Sequence, residues 1–258
     1  NYGVTQDGVS GGRLDIGAVD WNVLMGSWHL TAPFLITGLA SAGLIVYFWT
    51  LRLGSNPVIK KSDSKIISPL KAVPHFFSQK RLRIAYTICI SRSAFWVTIF
   101  IYGPIYVIEA GLPIWMSGGL LSAASGLLFI SPMVSGLAGR YGARALILTG
   151  LGISVVSLVG LALVGSPKPA GLVFWMLGSV GATILDVLGN IPFMRSVRPR
   201  ERPAMTVVFT TWREGSELLT PAIAALVLFF APFWVFYLVL AVVLSFAATL
   251  AARLPRRF

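Results

Sequence analysis

Long apolar runs separated by short polar connections dominate the pattern of the chain. A helix needs about 20 residues to cross a bilayer core of about 30 Å. Seven runs have that length and lack the two-residue alternation of barrel strands, so each predicts a transmembrane helix. The seven runs are Ala32–Leu51, Ile84–Ile108, Trp115–Ala138, Ala145–Gly165, Leu172–Met194, Ala204–Phe230 and Phe233–Ala252.

These runs divide the chain into four stretches. Residues 1–28, rich in Gly and Asp, predict an external loop or lead-in, and residues 29–51 predict the first transmembrane helix. Residues 52–83 predict a basic cytoplasmic linker, and residues 84–258 predict a six-helix transmembrane bundle. The second half of the linker, Pro69–Leu82, mixes apolar and basic side chains, which fits either a segment lying on anionic lipid or a solvated loop.

Composition supports a membrane protein and argues against a water-soluble enzyme. The 258 residues are 56% hydrophobic and only 12% charged, whereas soluble domains are about one-quarter charged. One cysteine, Cys89, and two histidines rule out a disulfide scaffold and a Cys/His zinc cluster. We therefore expect no metal and no cofactor apart from a proton or another coupling ion.

The net charge of +12 is distributed as membrane topology requires. Seventeen of the 21 Lys and Arg residues fall in connections on one side, and only Arg13 and Lys168 fall on the other. The positive-inside rule assigns the basic side to the cytoplasm of a cell (plasma or inner) membrane. The expected orientation has the N-terminus outside and the C-terminus inside, with lipid rather than nucleic acid as the partner of the basic residues.

Two stretches carry a family resemblance. Residues 135–144 read SGLAGRYGAR, which resembles the cytoplasmic loop motif Gly-x-x-x-Asp-Arg-x-Gly-Arg-Arg of the major facilitator superfamily. Arg140, Gly142 and Arg144 match that motif, whereas Gly139 stands in place of its Asp and Ala143 in place of an Arg. The stretch Trp28-His29-Leu30-Thr31-Ala32-Pro33-Phe34 is similar to the start of the family's sixth helix.

The resemblance implies an all-α membrane protein with seven transmembrane helices: the sixth helix, the central loop and the C-terminal six-helix bundle of a twelve-helix transporter. It implies a secondary transporter that moves a small solute by alternating access and that is not an enzyme. Arg140, Gly142 and Arg144 would belong to a gating loop. The preceding five helices of the same protein would then be missing from this sequence and would be its partners.

Polar side chains follow one face of three runs, which lipid does not tolerate. We therefore expect these faces to look into protein or into a wet cavity. The stripes are Ser91, Phe95, Thr98, Tyr102, Tyr106 and Glu109 with Arg92 beside them; Ser179, Thr183, Asp186 and Asn190; and Thr206, Thr210, Arg213, Glu217 and Thr220 with Glu214 beside them.

The sixth run carries three charged side chains near its middle, and it is therefore the strongest evidence for a helical bundle around a cavity. Three charges near the middle of a span cost about 7–10 kcal/mol, and the apolar residues of Ala204–Phe230 return only about 3–7 kcal/mol. The run therefore needs partners inside the membrane. Asp186 lies about 12 Å from the cytoplasmic end of its helix and Arg92 at a similar depth, so the two side chains could meet.

The candidate substrate and proton pathway consists of Arg92, Tyr102, Tyr106, Asp186, Asn190, Arg213, Glu214 and Glu217. Each residue also has a structural interpretation. Arg213 and Glu217 could simply neutralise each other, Asp186 could cap a backbone break, and Arg92 could extend to the membrane surface. The two tyrosines fit helix packing as well as ligand contact.

Small residues recur every four positions in two runs. Gly118, Ser122 and Gly126 form one series, and Gly150 and Ser154 form the other. Such spacing predicts close approach between helices.

Proton-coupled efflux, as in a drug or metabolite antiporter, is the preferred function. The alternative is a seven-helix receptor or sensor, which the topology also fits. Against the receptor, the last helix lacks a Lys that could bind retinal. A membrane-embedded enzyme is disfavoured because no run contains an interior His or a paired-Asp motif.

Overall fold

The computed structural model describes residues 32–51 and 69–255 of the chain. The regular elements within these two ranges are all helices, as expected for an all-α membrane protein. The chain divides into two compact units, residues 1–63 and 64–258. The predicted external segment 1–28 and the first half of the basic linker lie outside the described residues.

Helix α1, Ala32–Thr50, is the described element of the first unit. Its sequence is apolar on every side, and the described side chains, such as Leu39 and Trp49, are exposed. Thr50 Oγ1 donates to the carbonyl of Tyr47 at the end of the helix. Such a surface belongs in lipid or against other apolar helices.

The second unit contains ten α-helices within its described residues. They are α2 Pro69–Ser78, α3 Lys80–Glu109, α4 Trp115–Gly126, α5 Ser131–Tyr141, α6 Ala143–Val164, α7 Gly171–Leu188, α8 Ile191–Ser196, α9 Arg202–Thr210, α10 Trp212–Phe230 and α11 Phe233–Ala251.

Five helical stretches among the described residues are long and apolar enough to cross a membrane: Lys80–Glu109, Trp115–Tyr141, Ala143–Val164, Gly171–Ser196 and Phe233–Ala251. They coincide with five of the seven predicted runs. In the first run, the stretch Thr37–Thr50 of α1 is an apolar helix shorter than these five. The sixth run is divided between α9 and α10, so the total of seven spans stays a prediction.

Three of the predicted runs are interrupted rather than continuous. A 3₁₀ turn, Leu127–Ile130, separates α4 from α5 just before Pro132, and a break between α7 and α8 precedes Pro192. Both prolines lie in the first turn of the helix that follows the break, where the missing backbone N–H costs no helical hydrogen bond. Between α9 and α10, the hydroxyls of Thr210 and Thr211 donate to the carbonyls of Val207 and Val208 and compete with the helical hydrogen bonds.

Helix α3 lies at the centre of the second unit and packs against α4, α7, α8, α10 and α11. The tightest crossing joins α6 to α7. A Cβ atom on Gly181 would lie 2.6 Å from the carbonyl oxygen of Gly150 and 2.5 Å from Ser154 Oγ. The Gly150 and Ser154 series therefore makes the close approach that was predicted. The Gly118 and Gly126 series does not, because a Cβ atom at either glycine would meet nothing within 4 Å.

The second half of the predicted linker is not a loop. Helix α2 buries Ala72 and Phe76 in an apolar cluster with Phe193 and Phe209 of α8 and α9, while Val73 and Phe77 remain exposed. The apolar face that could have lain on lipid is therefore used in part for packing against protein. Helix α3 also begins at Lys80, four residues before the predicted start of the bundle.

Candidate functional site

A cavity of about 460 Å³ lies between α3, α7 and α10 in the second unit. Its walls combine four charged side chains with aromatic and aliphatic ones. We call it the charged cavity, and it is lined by Arg92, Ser93, Trp96, Val97, Phe100, Ile101, Asp186, Trp212, Arg213 and Glu217.

The first charged pair joins α3 to α7. Arg92 Nε lies 3.1 Å from Asp186 Oδ1, with the two side chains 7% and 26% exposed. The Nε–H bond is not aligned with the carboxylate oxygen for a hydrogen bond, so the contact is an ion pair. Arg92 Nη1 instead donates to the carbonyl of Leu185 at 3.4 Å. Arg92 and Asp186 thus meet, as their common depth suggested.

Two tryptophans surround this pair. Trp96 Nε1 donates to the second carboxylate oxygen of Asp186 at 2.8 Å. The guanidinium carbon of Arg92 lies 4.5 Å from the ring centroid of Trp212, which is cation–π distance. Asp186 therefore has both oxygens engaged, and Arg92 is held between a carboxylate and an aromatic face.

The second charged pair lies within α10. Arg213 Nε is 3.4 Å from Glu217 Oε1, one helical turn away, and the side chains are 70% and 56% exposed. Ser216 Oγ contacts Ser93 Oγ, and Tyr86 hydrogen-bonds Thr211 at 3.2 Å, which fastens the start of α10 to α3. Both charged side chains line the cavity and remain largely exposed.

The remaining pathway candidates lie elsewhere. Tyr102 is buried against Phe233 and Phe236, in the packing between α3 and α11. The Tyr106 hydroxyl donates to the Lys168 carbonyl at 3.0 Å and accepts from its backbone N–H at 3.1 Å. Both tyrosines thus act as packing residues in this structure.

Asn190 and Glu214 also stand apart from the lining. Asn190 is exposed beyond the end of α7, where its side-chain oxygen accepts a contact from Cys89 Sγ at 3.6 Å. Glu214 is exposed on α10 and does not line the charged cavity.

The gating-loop candidates form the turn between α5 and α6. Gly142 separates the two helices with φ of 84°, a left-handed value that favours glycine. Arg144 donates to the carbonyl of Ala252 and so ties this turn to the end of α11. Arg140 is exposed.

The face of α3 that lines the charged cavity lies one residue away from the predicted stripe. Ser91, Phe95 and Thr98 are buried in protein, whereas Arg92, Trp96 and Phe100 face the cavity. The four-residue spacing of these three residues is the signal that could have identified Trp96. Trp212 and Ser93 were missed because neither belongs to a predicted stripe.

Metal binding has no support among the residues that the structure describes. No group of three His, Cys, Asp or Glu side chains there could hold a metal ion. The lining of the charged cavity contains two carboxylates, Asp186 and Glu217, beside aromatic side chains.

Comparison with known proteins gives a family match. The sequence profile of the Major Facilitator Superfamily matches residues 16–221, a stretch that includes every residue lining the charged cavity. No curated protein sequence matches the chain.

Proposed function

The chain belongs to the major facilitator superfamily, and from that premise we propose that this multi-pass membrane transporter expels a small organic solute in exchange for protons. The observation that carries the proposal is the Arg92–Asp186 ion pair on the wall of the charged cavity. Ionisable side chains inside a transmembrane bundle are rare and commonly mark ion pathways. The pair also joins two helices, so a change in its charge alters the contact between them.

Asp186 is the proposed proton carrier. Proton uptake by its carboxylate removes the negative charge that faces Arg92, and the attraction between α3 and α7 weakens. Because Arg92 is buried, it then lacks its counterion and favours an arrangement that gives it another partner. Deprotonation restores the original pair. This difference between two charge states is what a coupling ion needs in order to shift a conformational equilibrium.

The lining supports a lipophilic organic cation as the solute. Trp96, Phe100 and Trp212 supply aromatic faces, which attract cations and apolar groups alike. Asp186 and Glu217 supply negative charge once their arginine partners are displaced. Proton and solute would thus compete for the same carboxylates, as antiport requires.

Glu217 and Arg213 are the proposed entry to this site. Their charges are exposed on the open side of the cavity, and hydrocarbon does not tolerate them. We propose that another part of the transporter, the N-terminal helices predicted from the family resemblance, covers this side. The positive-inside distribution supports an outside N-terminus and a cytoplasmic C-terminus in a cell membrane.

The turn between α5 and α6 is the proposed gate. Arg144 contacts the end of α11, so breaking and remaking this contact would couple the turn to movement of the bundle. Gly142 supplies the backbone conformation that the tight turn needs, and Arg140 is the neighbouring cation of the loop motif.

Ethidium flux tests the proposal. Everted vesicles that contain the full-length protein are loaded with a pH gradient, and ethidium uptake and ethidium-dependent proton release are followed by fluorescence. We expect Asp186→Asn to abolish proton release and Glu217→Gln to reduce it. Glu214→Gln is the matched control, because Glu214 is on the same helix but outside the cavity lining, and it should retain full activity.

Different failures have different meanings. Ethidium uptake that needs no pH gradient would overturn proton coupling. Proton release unchanged by both Asp186→Asn and Glu217→Gln would remove these residues from the pathway. An equal loss in Glu214→Gln would show that the charge of α10 acts generally and not through the cavity.

A further inference from the structure

A second cavity, which we call the arginine pocket, has a volume of about 760 Å³. Its lining includes four arginines: Arg81 near the start of α3, Arg195 in α8, Arg198 in the connection between α8 and α9, and Arg202 at the start of α9. None of the described residues that line it is acidic, and none of the four arginines forms an ion pair with a described residue. The pocket therefore concentrates positive charge without an internal counterion.

Two polar atoms in residues of this pocket lack partners. Ser196 Oγ and Arg202 Nε are both buried and make no hydrogen bond with a described residue, although Arg202 Nη2 donates to the Met194 carbonyl at 3.3 Å. Buried polar groups in native proteins nearly always have a partner. Two unsatisfied donors beside four unpaired arginines indicate a missing acceptor with negative charge.

The location of the pocket suggests where that acceptor comes from. The pocket lies where α3 and α9 begin and α8 ends, and Pro255, just beyond α11, also lines it. Ends of apolar transmembrane helices lie at the level of lipid headgroups. Basic pockets at this level bind the headgroups of anionic lipids.

We propose that the arginine pocket binds a phosphate group, supplied either by the headgroup of an anionic phospholipid or by free phosphate. The planar guanidinium groups of Arg195, Arg198 and Arg202 match phosphate oxygens through paired hydrogen bonds. The hydroxyl of Ser196 adds a neutral donor. The volume of the pocket exceeds that of a bare phosphate, so there is room for the rest of a headgroup. The site requires no role for the charged cavity and stands apart from the transported solute.

Binding in nanodiscs tests this inference with the full chain. One set of discs contains phosphatidylcholine with increasing amounts of phosphatidylglycerol, and retained lipid is measured by native mass spectrometry. A second set contains phosphatidylcholine alone, with inorganic phosphate added to the buffer and its binding measured by calorimetry. The variants are Arg195→Gln and Arg202→Gln. Arg200→Gln is the matched control, because Arg200 lies between these two residues in the connection from α8 to α9 but does not line the pocket.

We expect Arg195→Gln and Arg202→Gln each to weaken phosphatidylglycerol retention about fivefold, and Arg200→Gln to leave it unchanged. Arg195 is exposed, so its variant keeps the test valid even if Arg202→Gln does not fold. Retention of phosphatidylglycerol identifies lipid as the source, whereas saturable binding of inorganic phosphate alone identifies free phosphate. The inference is overturned if neither ligand binds, or if Arg200→Gln weakens binding as much as the two pocket variants.

Discussion

The two walls of the charged cavity use the same chemistry in different surroundings. On the wall formed by α3 and α7, Arg92 and Asp186 come from different helices and are largely buried. On the wall formed by α10, Arg213 and Glu217 belong to one helical turn and are largely exposed. The first pair is a tertiary contact that the fold must hold in place, whereas the second could form on an isolated helix.

Packing behind the two walls differs in the same way. Helix α7 crosses α6 so closely that Gly181 has no room for a Cβ atom. Helix α10 buries only Ser216, Thr220 and Ala224 and leaves large residues such as Leu226 exposed. Helices with few buried contacts are the ones that open most easily, so we expect α10 to be the more mobile of the two walls.

Removing the acid of the buried pair should have the largest effect on stability. Asp186→Asn leaves Arg92 buried without a counterion, which costs about 3–5 kcal/mol. We expect the free energy of unfolding, measured by denaturant titration in mild detergent, to fall by that amount.

The control is the double variant Arg92→Gln, Asp186→Asn, which removes both charges. It should be more stable than Asp186→Asn alone, because no uncompensated charge remains. If the double variant is the less stable one, the Arg92–Asp186 charge interaction does not account for the loss.

Replacing a glycine by alanine should lower the free energy of unfolding on the α7 wall and raise it on the α10 wall. In Gly181→Ala, the new Cβ atom would lie 2.5 Å from Ser154 Oγ, and overpacking of this kind costs about 1–3 kcal/mol. In Gly215→Ala on α10, the nearest atoms are 3.7 Å away, and replacing a helical glycine adds about 0.5–1 kcal/mol of stability. The measurement is the same detergent titration.

Gly118→Ala on α4 is the matched control for the helical preference of alanine, since a Cβ atom there would meet nothing within 4 Å. Gly118→Ala should gain about as much stability as Gly215→Ala. Equal stability of Gly181→Ala and Gly215→Ala would show that the α6–α7 crossing can relax, and the contrast between the walls would be weaker than the packing indicates.

Much of this contrast could not be predicted from the sequence. The length of each apolar run located the helices, because membrane thickness fixes that length. The depth of two charges in their helices predicted that Arg92 and Asp186 could meet. Trp96 was missed because a polar stripe does not distinguish a face that lines a cavity from one buried in protein, and Trp212 was missed because it belongs to no polar stripe.

The helix break in the sixth run and the close contacts of the small residues could not be predicted from the sequence either. Thr211 interrupts the sixth run through side-chain hydrogen bonds, which compete with the helix only in a particular local geometry. Glycine spacing was the same at Gly118 and Gly150, yet only Gly150 faces another backbone closely. Which face of a helix meets a neighbour depends on the whole arrangement of the bundle.

The exposed pair should contribute least to stability. Glu217→Gln removes the partner of Arg213, but an exposed pair spaced by four residues is worth only about 0.3–0.5 kcal/mol, and an arginine that precedes its acid is in the less favourable order. We expect the free energy of unfolding in detergent to change by no more than this amount, and the small difference to vanish at high salt. A loss as large as that of Asp186→Asn would mean that the Arg213–Glu217 pair contributes far more than an exposed pair, and that the contrast between the two walls does not hold.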